Sequence, residues 1–176
     1  MALLTIHTYP DPVLKEQAKP VTEIDSRVRK LIDDMAETMY DAPGIGLAAN
    51  QVGKLEQIVV IDLQKPEIQQ GLIALINPVI IKAEGTTKYE EGCLSVPGFY
   101  AKVKRHEKVT VRALSPEGKQ ITLEADGLLA IALQHEIDHL NGYLFVDRLG
   151  PVGRELFKRK WKKRMADKGK SFARGS

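Results

Sequence analysis

Between Ser26 and Tyr40 the apolar residues Val28, Leu31, Ile32, Met35 and Met39 recur at helical spacing, behind the good cap types Asp25 and Ser26. Residues 26–40 are therefore predicted as an amphipathic helix, stopped at Pro43-Gly44. Its stripe is core packing and is assigned no function. Ahead of it, Pro10, Pro12 and Pro20 favour an extended, turning path. Behind it, residues 57–63, 72–77 and, past a break at Pro78, 79–83 form strand-like runs. Residues 108–114 and 119–125 flank the turn sequence Ser115-Pro116-Glu117-Gly118 and predict a hairpin. From 128 to 140 the pattern changes: Leu128, Leu129, Ile131, Leu133, Ile137 and Leu140 surround a helix on most sides, so it is buried centrally. Pro151, then Phe157, Trp161 and Met165 four apart, predict a last helix over about 151–168 with a narrow apolar stripe and a wide basic face. Residues 169–176 read as a frayed tail. The order helix, strands, helix, helix gives one α+β domain, with mixed or antiparallel sheets packed around the central buried helix.

Composition changes this picture in two places. At 176 residues, 43% apolar and 28% charged, the chain is an ordinary globular domain that needs no disulfide staple, and general disorder is excluded. No run approaches ~18 consecutive apolar residues, so no membrane span is expected. Residues 1–12 lack a basic start and an apolar core, so no targeting peptide is expected either. The net charge of +3 hides a split: residues 148–176 carry 11 Lys and Arg against only Glu155 and Asp167, whereas residues 1–147 are mildly acidic. The single cysteine, Cys93, has no internal partner and points to a reducing compartment and to a thiol with its own task.

His135-Glu136-Ile137-Asp138-His139 is the most specific signal in the chain. On a helix, residues i and i+4 lie one turn apart on one face, so His135 and His139 can reach one metal ion. A metal-free, exposed helix fits poorly, because the surrounding residues are so apolar that unpaired ionisable groups would be costly to bury. A catalytic site usually has three protein ligands and one open position. His7 and His106 are the other imidazoles, neither in a distinctive context. Cys93 sits in Glu90-Glu91-Gly92-Cys93-Leu94-Ser95-Val96-Pro97-Gly98, where the preceding glycine allows close backbone approach and Pro97-Gly98 ends the segment in a turn. A lone cysteine is more often a small buried hydrophobe. Beside a helix in need of a third ligand, Cys93 becomes the candidate. A Cys-His-His set leaves one place for water, whose pKa such a metal lowers toward ~7, and Glu136 stands where it can move protons. Gln51, the one long amide in the small-residue stretch 44–53, reads on its own as satisfying loop backbone.

Three stretches occur in order: Gly44-Ile45-Gly46-Leu47-Ala48-Ala49-Asn50-Gln51, Glu91-Gly92-Cys93-Leu94-Ser95 and Gln134-His135-Glu136-Ile137-Asp138-His139. Together they resemble the three motifs of peptide deformylase, and the similarity runs from about Tyr9-Pro10-Asp11 to the basic C-terminal helix. The compact length and that helix look like the bacterial and organellar type I enzymes. The resemblance implies removal of the formyl group from the N-formylmethionine of nascent polypeptides, with release of formate, in the cytoplasm. It implies Cys93, His135 and His139 as ligands of one divalent metal ion, natively Fe(II), with zinc, nickel or cobalt able to occupy the site. It implies Glu136 as general acid/base, and Gln51 with the backbone N–H of Leu94 as donors to the oxyanion. The peptide is expected as an added strand against backbone near Gly46 and Glu91-Gly92, with the methionine side chain in a pocket lined by Ile45, Leu128 and Ile131. Asn50 stands where many relatives carry proline, and Tyr100 where some carry arginine, so no contacts beyond the methionine are carried over. Glu91 and Asp138 remain as acids near the ligands. Either could take the second N–H of a metal-bound imidazole, and Asp138 could instead pair with Arg105 or face water.

The cationic run Arg154, Lys158, Arg159, Lys160, Lys162, Lys163 and Arg164 is either a solvated helix face or a docking surface for ribosomal RNA or protein. Two rival classes share parts of this pattern. A zincin-type endopeptidase has His-Glu-x-x-His but would not ordinarily complete its site with cysteine. A non-catalytic ribosome-associated protein would explain the tail and leave the three ligands idle.

Overall fold

The side chain of Asp25 accepts the Val28 N–H at 3.1 Å, and helix α1 (Ser26–Asp41) starts from that cap. It is the first α-helix in the computed structural model, which describes residues 2–67 and 70–174. Strands β1 (Gly46–Ala48), β2 (Ile58–Ile61), β3 (Ile73–Glu84), β6 (Lys108–Leu114) and β7 (Gln120–Asp126) form one antiparallel sheet in the order β1-β2-β3-β6-β7. Strands β4 (Thr87–Cys93) and β5 (Val96–Arg105) pair as a separate antiparallel hairpin. Helix α2 (Gly127–Leu140) leaves β7 directly, and α3 (Pro151–Arg174) ends the described chain.

The larger sheet is packed on both faces, which is why β2 reads as an unbroken apolar run. Val59 and Ile61 face Ala130, Leu133 and Ile137 of α2. Ile58 and Val60 face Val28, Met35 and Met39 of α1 on the other side. Each such fully buried aliphatic side chain contributes about 1.5–3 kcal/mol of transfer free energy. A third cluster joins the hairpin to the N- and C-terminal parts of the chain: Val96, Phe99 and Val103 pack with Leu14, Phe145 and Phe157. Twelve residues of α2 are buried, so the helix expected at the centre is there.

Several local expectations change. Pro78 does not break its strand. β3 passes through a bulge between Ile76 and Val79, Asn77 takes a φ of +52°, and its amide bonds the N–H and C=O of Val21. A bulge needs no ladder N–H from the proline. The β4–β5 hairpin, not anticipated as strands, turns at Leu94-Ser95, and Pro97-Gly98 lies inside β5 instead of ending the segment. Phe157 is buried and Trp161 partly so, but Met165 is exposed, so the stripe on α3 is shorter than predicted. The helix itself continues past Lys168 to Arg174. A single glycine such as Gly169 costs only about 1 kcal/mol against alanine, and an established helix propagates across it. Gly175 and Ser176 lie outside the described residues.

Candidate metal centre

A helix and a strand meet at the ligands. The buried face of α2 carries His135 and His139, and the end of β4 carries Cys93. Cys93 Sγ lies 3.3 Å from His139 Nε2, which lies 3.2 Å from His135 Nε2. These are the only His, Cys, Asp and Glu residues among the described ones that converge in this way, all three ligand atoms lying within 4.8 Å of one another. A tetrahedral ion with arms of about 2.0–2.1 Å to nitrogen and 2.3 Å to sulfur has edges of roughly 3.3–3.6 Å, so the set fits a single cation. His7 and His106 are elsewhere, bonded to Asp11 and to the Gly85 carbonyl.

The imidazoles are prepared for a metal by their neighbours. Glu91 Oε1 accepts from His135 Nδ1 at 2.8 Å, which turns Nε2 toward the cluster. Burial, reinforced by the positive charges of His135 and Arg105, holds the pKa of His139 well below that of a free histidine and leaves its lone pair available. Burial opposes a charge on His135 as well, but Glu136, Cys93 and Glu91 outweigh it and hold its pKa well above the usual value. Cys93 Sγ itself receives the Ser95 N–H at 3.4 Å and Gln51 Nε2 at 3.6 Å.

Both acids left open by the sequence are placed. Arg105 meets Glu91 fork to fork and reaches Asp138 Oδ2 with Nη1 at 2.6 Å. Arg148 holds Asp138 from the other side at 2.8 and 3.1 Å. Burial pushes the Glu91 carboxyl up, but Arg105 and His135 more than reverse it and keep it below its ordinary range. Asp138 thus serves cations and not an imidazole. Arg105 had a sequence signal: Phe99, Ala101 and Val103 alternate inward along β5, and a cation next in that register must be paired.

Glu136 is buried, with Oε2 in the space a Cβ on Gly46 would take and Oε1 without a hydrogen-bond partner. Burial pushes its carboxyl up to about 7, His135 and Arg105 opposing and the carboxylates of Glu91 and Asp138 adding. Gln51 sits in a 3-10 turn, Ala49–Val52, directly after β1. Its Oε1 accepts the Ala48 N–H at 3.0 Å, as the loop-backbone reading supposed. Its Nε2 is thereby aimed at Cys93 and at Ser95 Oγ, 3.0 Å away. A cleft of about 760 Å³ is lined by Ile45, Gly46, Gln51, Gly92, Leu94, Leu128, Ile131 and Glu136, among others. The side chain of Glu91 is spent on Arg105 and His135, so only its backbone can serve a ligand in that cleft. Ser95, missed from sequence, is fully buried beside the amide it orients.

Residues 3–155 match the family described as polypeptide deformylase. The peptide deformylase of Syntrophobacter fumaroxidans is 57% identical over 167 residues, covering 95% of this chain and 98% of that protein. That of Thermodesulfovibrio yellowstonii is 55% identical, covering 92% and 98%. Among solved structures, a peptide deformylase from Legionella pneumophila aligns with a TM-score of 0.85 at 47% identity, over 94% of this chain and 98% of that one. One from Synechococcus elongatus in complex with actinonin aligns at 0.85 and 46%, over 92% and 87%.

Proposed function

The chain belongs to the polypeptide deformylase family, and from that membership we propose how its own residues carry out the reaction. It is a metal-dependent hydrolase that removes the N-formyl group from the formylmethionine of nascent polypeptides and releases formate. Cys93, His135 and His139 hold one divalent ion, natively Fe(II), with zinc, nickel or cobalt able to replace it because imidazole and thiolate suit all of them. When bound, the ion polarises the formyl carbonyl and lowers the pKa of a water beside it.

The remaining work falls to the chain. The peptide adds as a strand along the backbone at Gly46 and at Glu91-Gly92, with its methionine side chain among Ile45, Leu128 and Ile131. Negative charge then grows on the formyl oxygen, where Gln51 Nε2 and the Leu94 N–H donate to it. One preorganised donor of this kind lowers a barrier by about 2.7–4 kcal/mol. Glu136 takes a proton from the attacking water and passes it to the departing amine nitrogen, a role suited to a buried carboxyl whose pKa lies near the working pH.

The observation that carries this reading is the meeting of Cys93 Sγ with the two Nε2 atoms in the cleft that Glu136 and Gln51 also line. Formate release from formyl-Met-Ala-Ser by protein prepared without oxygen tests it. Glu136→Ala is expected to keep metal and lose turnover, and Cys93→Ala to lose metal. Full turnover in either variant overturns the assignment. Work on nascent chains supports, as part of the same proposal, a cytoplasmic protein that docks on the ribosome through the exposed cations of α3.

A further inference from the structure

The two donors assigned to the oxyanion come from different sheets. Gln51 follows β1 of the larger sheet, and Leu94 belongs to the turn of the β4–β5 hairpin. Their convergence depends on what joins those two turns. One link is the Gln51 amide, whose Nε2 reaches Ser95 Oγ at 3.0 Å and Cys93 Sγ at 3.6 Å. The other is the N-terminal segment: the His7 N–H donates to the Gln51 carbonyl, and the Tyr9 N–H donates to the Ser95 carbonyl, both at 2.7 Å. Two residues of extended chain span only about 7 Å, so residues 7–9 fix the separation of the two turns much as a rigid spacer would.

Both ends of this segment are seated. The Tyr9 ring packs edge-on against Phe157 at 5.0 Å and Trp161 at 5.2 Å. The His7 ring covers Gly53, where a Cβ would come within 2.9 Å of Nε2, and its Nδ1 meets Asp11 Oδ2 at 2.7 Å. Asp11 in turn accepts the Val13 N–H through its other oxygen. Neither His7 nor Tyr9 is among the described residues that line the cleft.

We infer that residues 7–9 are a positioning strap, in which His7 and Tyr9 hold the Gln51 and Leu94-Ser95 turns at the separation that lets Gln51 Nε2 and the Leu94 N–H meet on one oxygen. This rests on the reading of Gln51 and Leu94 as oxyanion donors. A misplacement of about 1 Å in such a site costs on the order of a hundredfold in rate, so partial loosening should be visible. The strap touches neither substrate nor ligands, so its loss lowers kcat and leaves KM and metal content in place.

The test is formate release by Tyr9→Ala, Tyr9→Phe, His7→Ala and Gln51→Ala, and by Tyr9→Ala combined with Gln51→Ala, with metal content measured for each. Tyr9→Ala should lower kcat about tenfold with KM and metal within about twofold of wild type, and Tyr9→Phe should restore it. In the Gln51→Ala background the same change should cost clearly less than tenfold, about threefold, because of the two donors held in register only the Leu94 N–H remains. An undiminished tenfold loss there, or kcat within about twofold of wild type in Tyr9→Ala, overturns the strap. If Tyr9→Ala does not fold, His7→Ala decides: the strap predicts at least about a threefold loss of kcat at unchanged KM, and no loss overturns it. An unchanged kcat in Gln51→Ala itself would instead defeat the oxyanion assignment, and the strap with it.

Discussion

Arg105 and Glu91 face each other in parallel, guanidinium Nε and Nη2 lying 2.8 and 2.9 Å from the two carboxylate oxygens. The third reach of the same guanidinium, to Asp138, ties the hairpin that carries Cys93 to the helix that carries the histidines. A planar fork can hold two carboxylates at once, which a point charge cannot. Burial alone would depress the charge on Arg105, and the paired carboxylates hold it firmly in place.

Arg105→Ala strands two buried carboxylates and should destabilise the fold by about 3–5 kcal/mol in urea unfolding. Arg105→Lys should retain part of that stability and release metal about 10–100-fold faster, since His135 loses the orientation that Glu91 imposes. Equal metal release rates in wild type and Arg105→Lys would show that Glu91 is held without the fork.

Gly46 makes room for Glu136. A Cβ there would run into Oε2 and stand 3.0 Å from Cδ, while the helix backbone behind Glu136 is packed and cannot retreat. Gly46→Ala is expected to lower kcat about 10–100-fold through a displaced acid/base, with metal content and melting temperature little changed. Loss of metal in this variant would instead indicate that α2 as a whole had shifted.

Legibility followed the physical source of each feature. The cap at Asp25, the apolar run of β2 and the i, i+4 pair on α2 are local patterns, and each formed where its residues stand. Cys93 needed the further premise that two imidazoles want a third ligand. The bulge at Asn77-Pro78 was hidden because its compensation, the paired bonds to Val21, comes from far along the chain. The β4–β5 hairpin was hidden because charged Lys88, Glu90 and Glu91 break its apolar alternation, and Glu91 is buried for the site's sake. The pair of Asp138 with Arg105 was among the options the sequence offered, but the fork of Arg105 on Glu91, the seat of Tyr9 and the hydroxyl of Ser95 are contacts between separate elements, which no single pattern of sequence contains.

Asp34 links the N-terminus to α1, accepting the Lys30 ammonium at 2.7 Å and the Ala2 N–H at 2.7 Å. The hydrogen bond from Lys30, with that from Ala2, holds its pKa below the ordinary value. A depressed folded pKa contributes stability that is fully present above the unfolded value, about 3.9, and is lost as pH falls through the folded one. The stability difference between wild type and Asp34→Asn should therefore be constant from about pH 5 upward and shrink below about pH 4. Urea midpoints across that range measure it, and a difference independent of pH would mean the carboxylate is not the source.

The basic face of α3 divides by structure. Arg164 packs on Gly98 and stands over the Trp161 ring at 5.7 Å, and Lys160 stands 5.7 Å from the Phe99 ring. Arg154, Lys158, Arg159, Lys162 and Lys163 point outward and are exposed. Cations that meet phosphates release counterions, and each such contact steepens the fall of log K with log salt by about 0.7–0.9. Sedimentation with ribosomes across a salt series should show that steep fall, and Arg159→Ala with Lys162→Ala and Lys163→Ala should flatten the slope by about 2–3 while leaving formate release from a short peptide unchanged. Arg164→Ala should leave the slope nearly intact, because its guanidinium is committed to the protein. Binding that ignores salt, or that persists undiminished in the triple variant, would mean that α3 is a solvated helix and no docking surface.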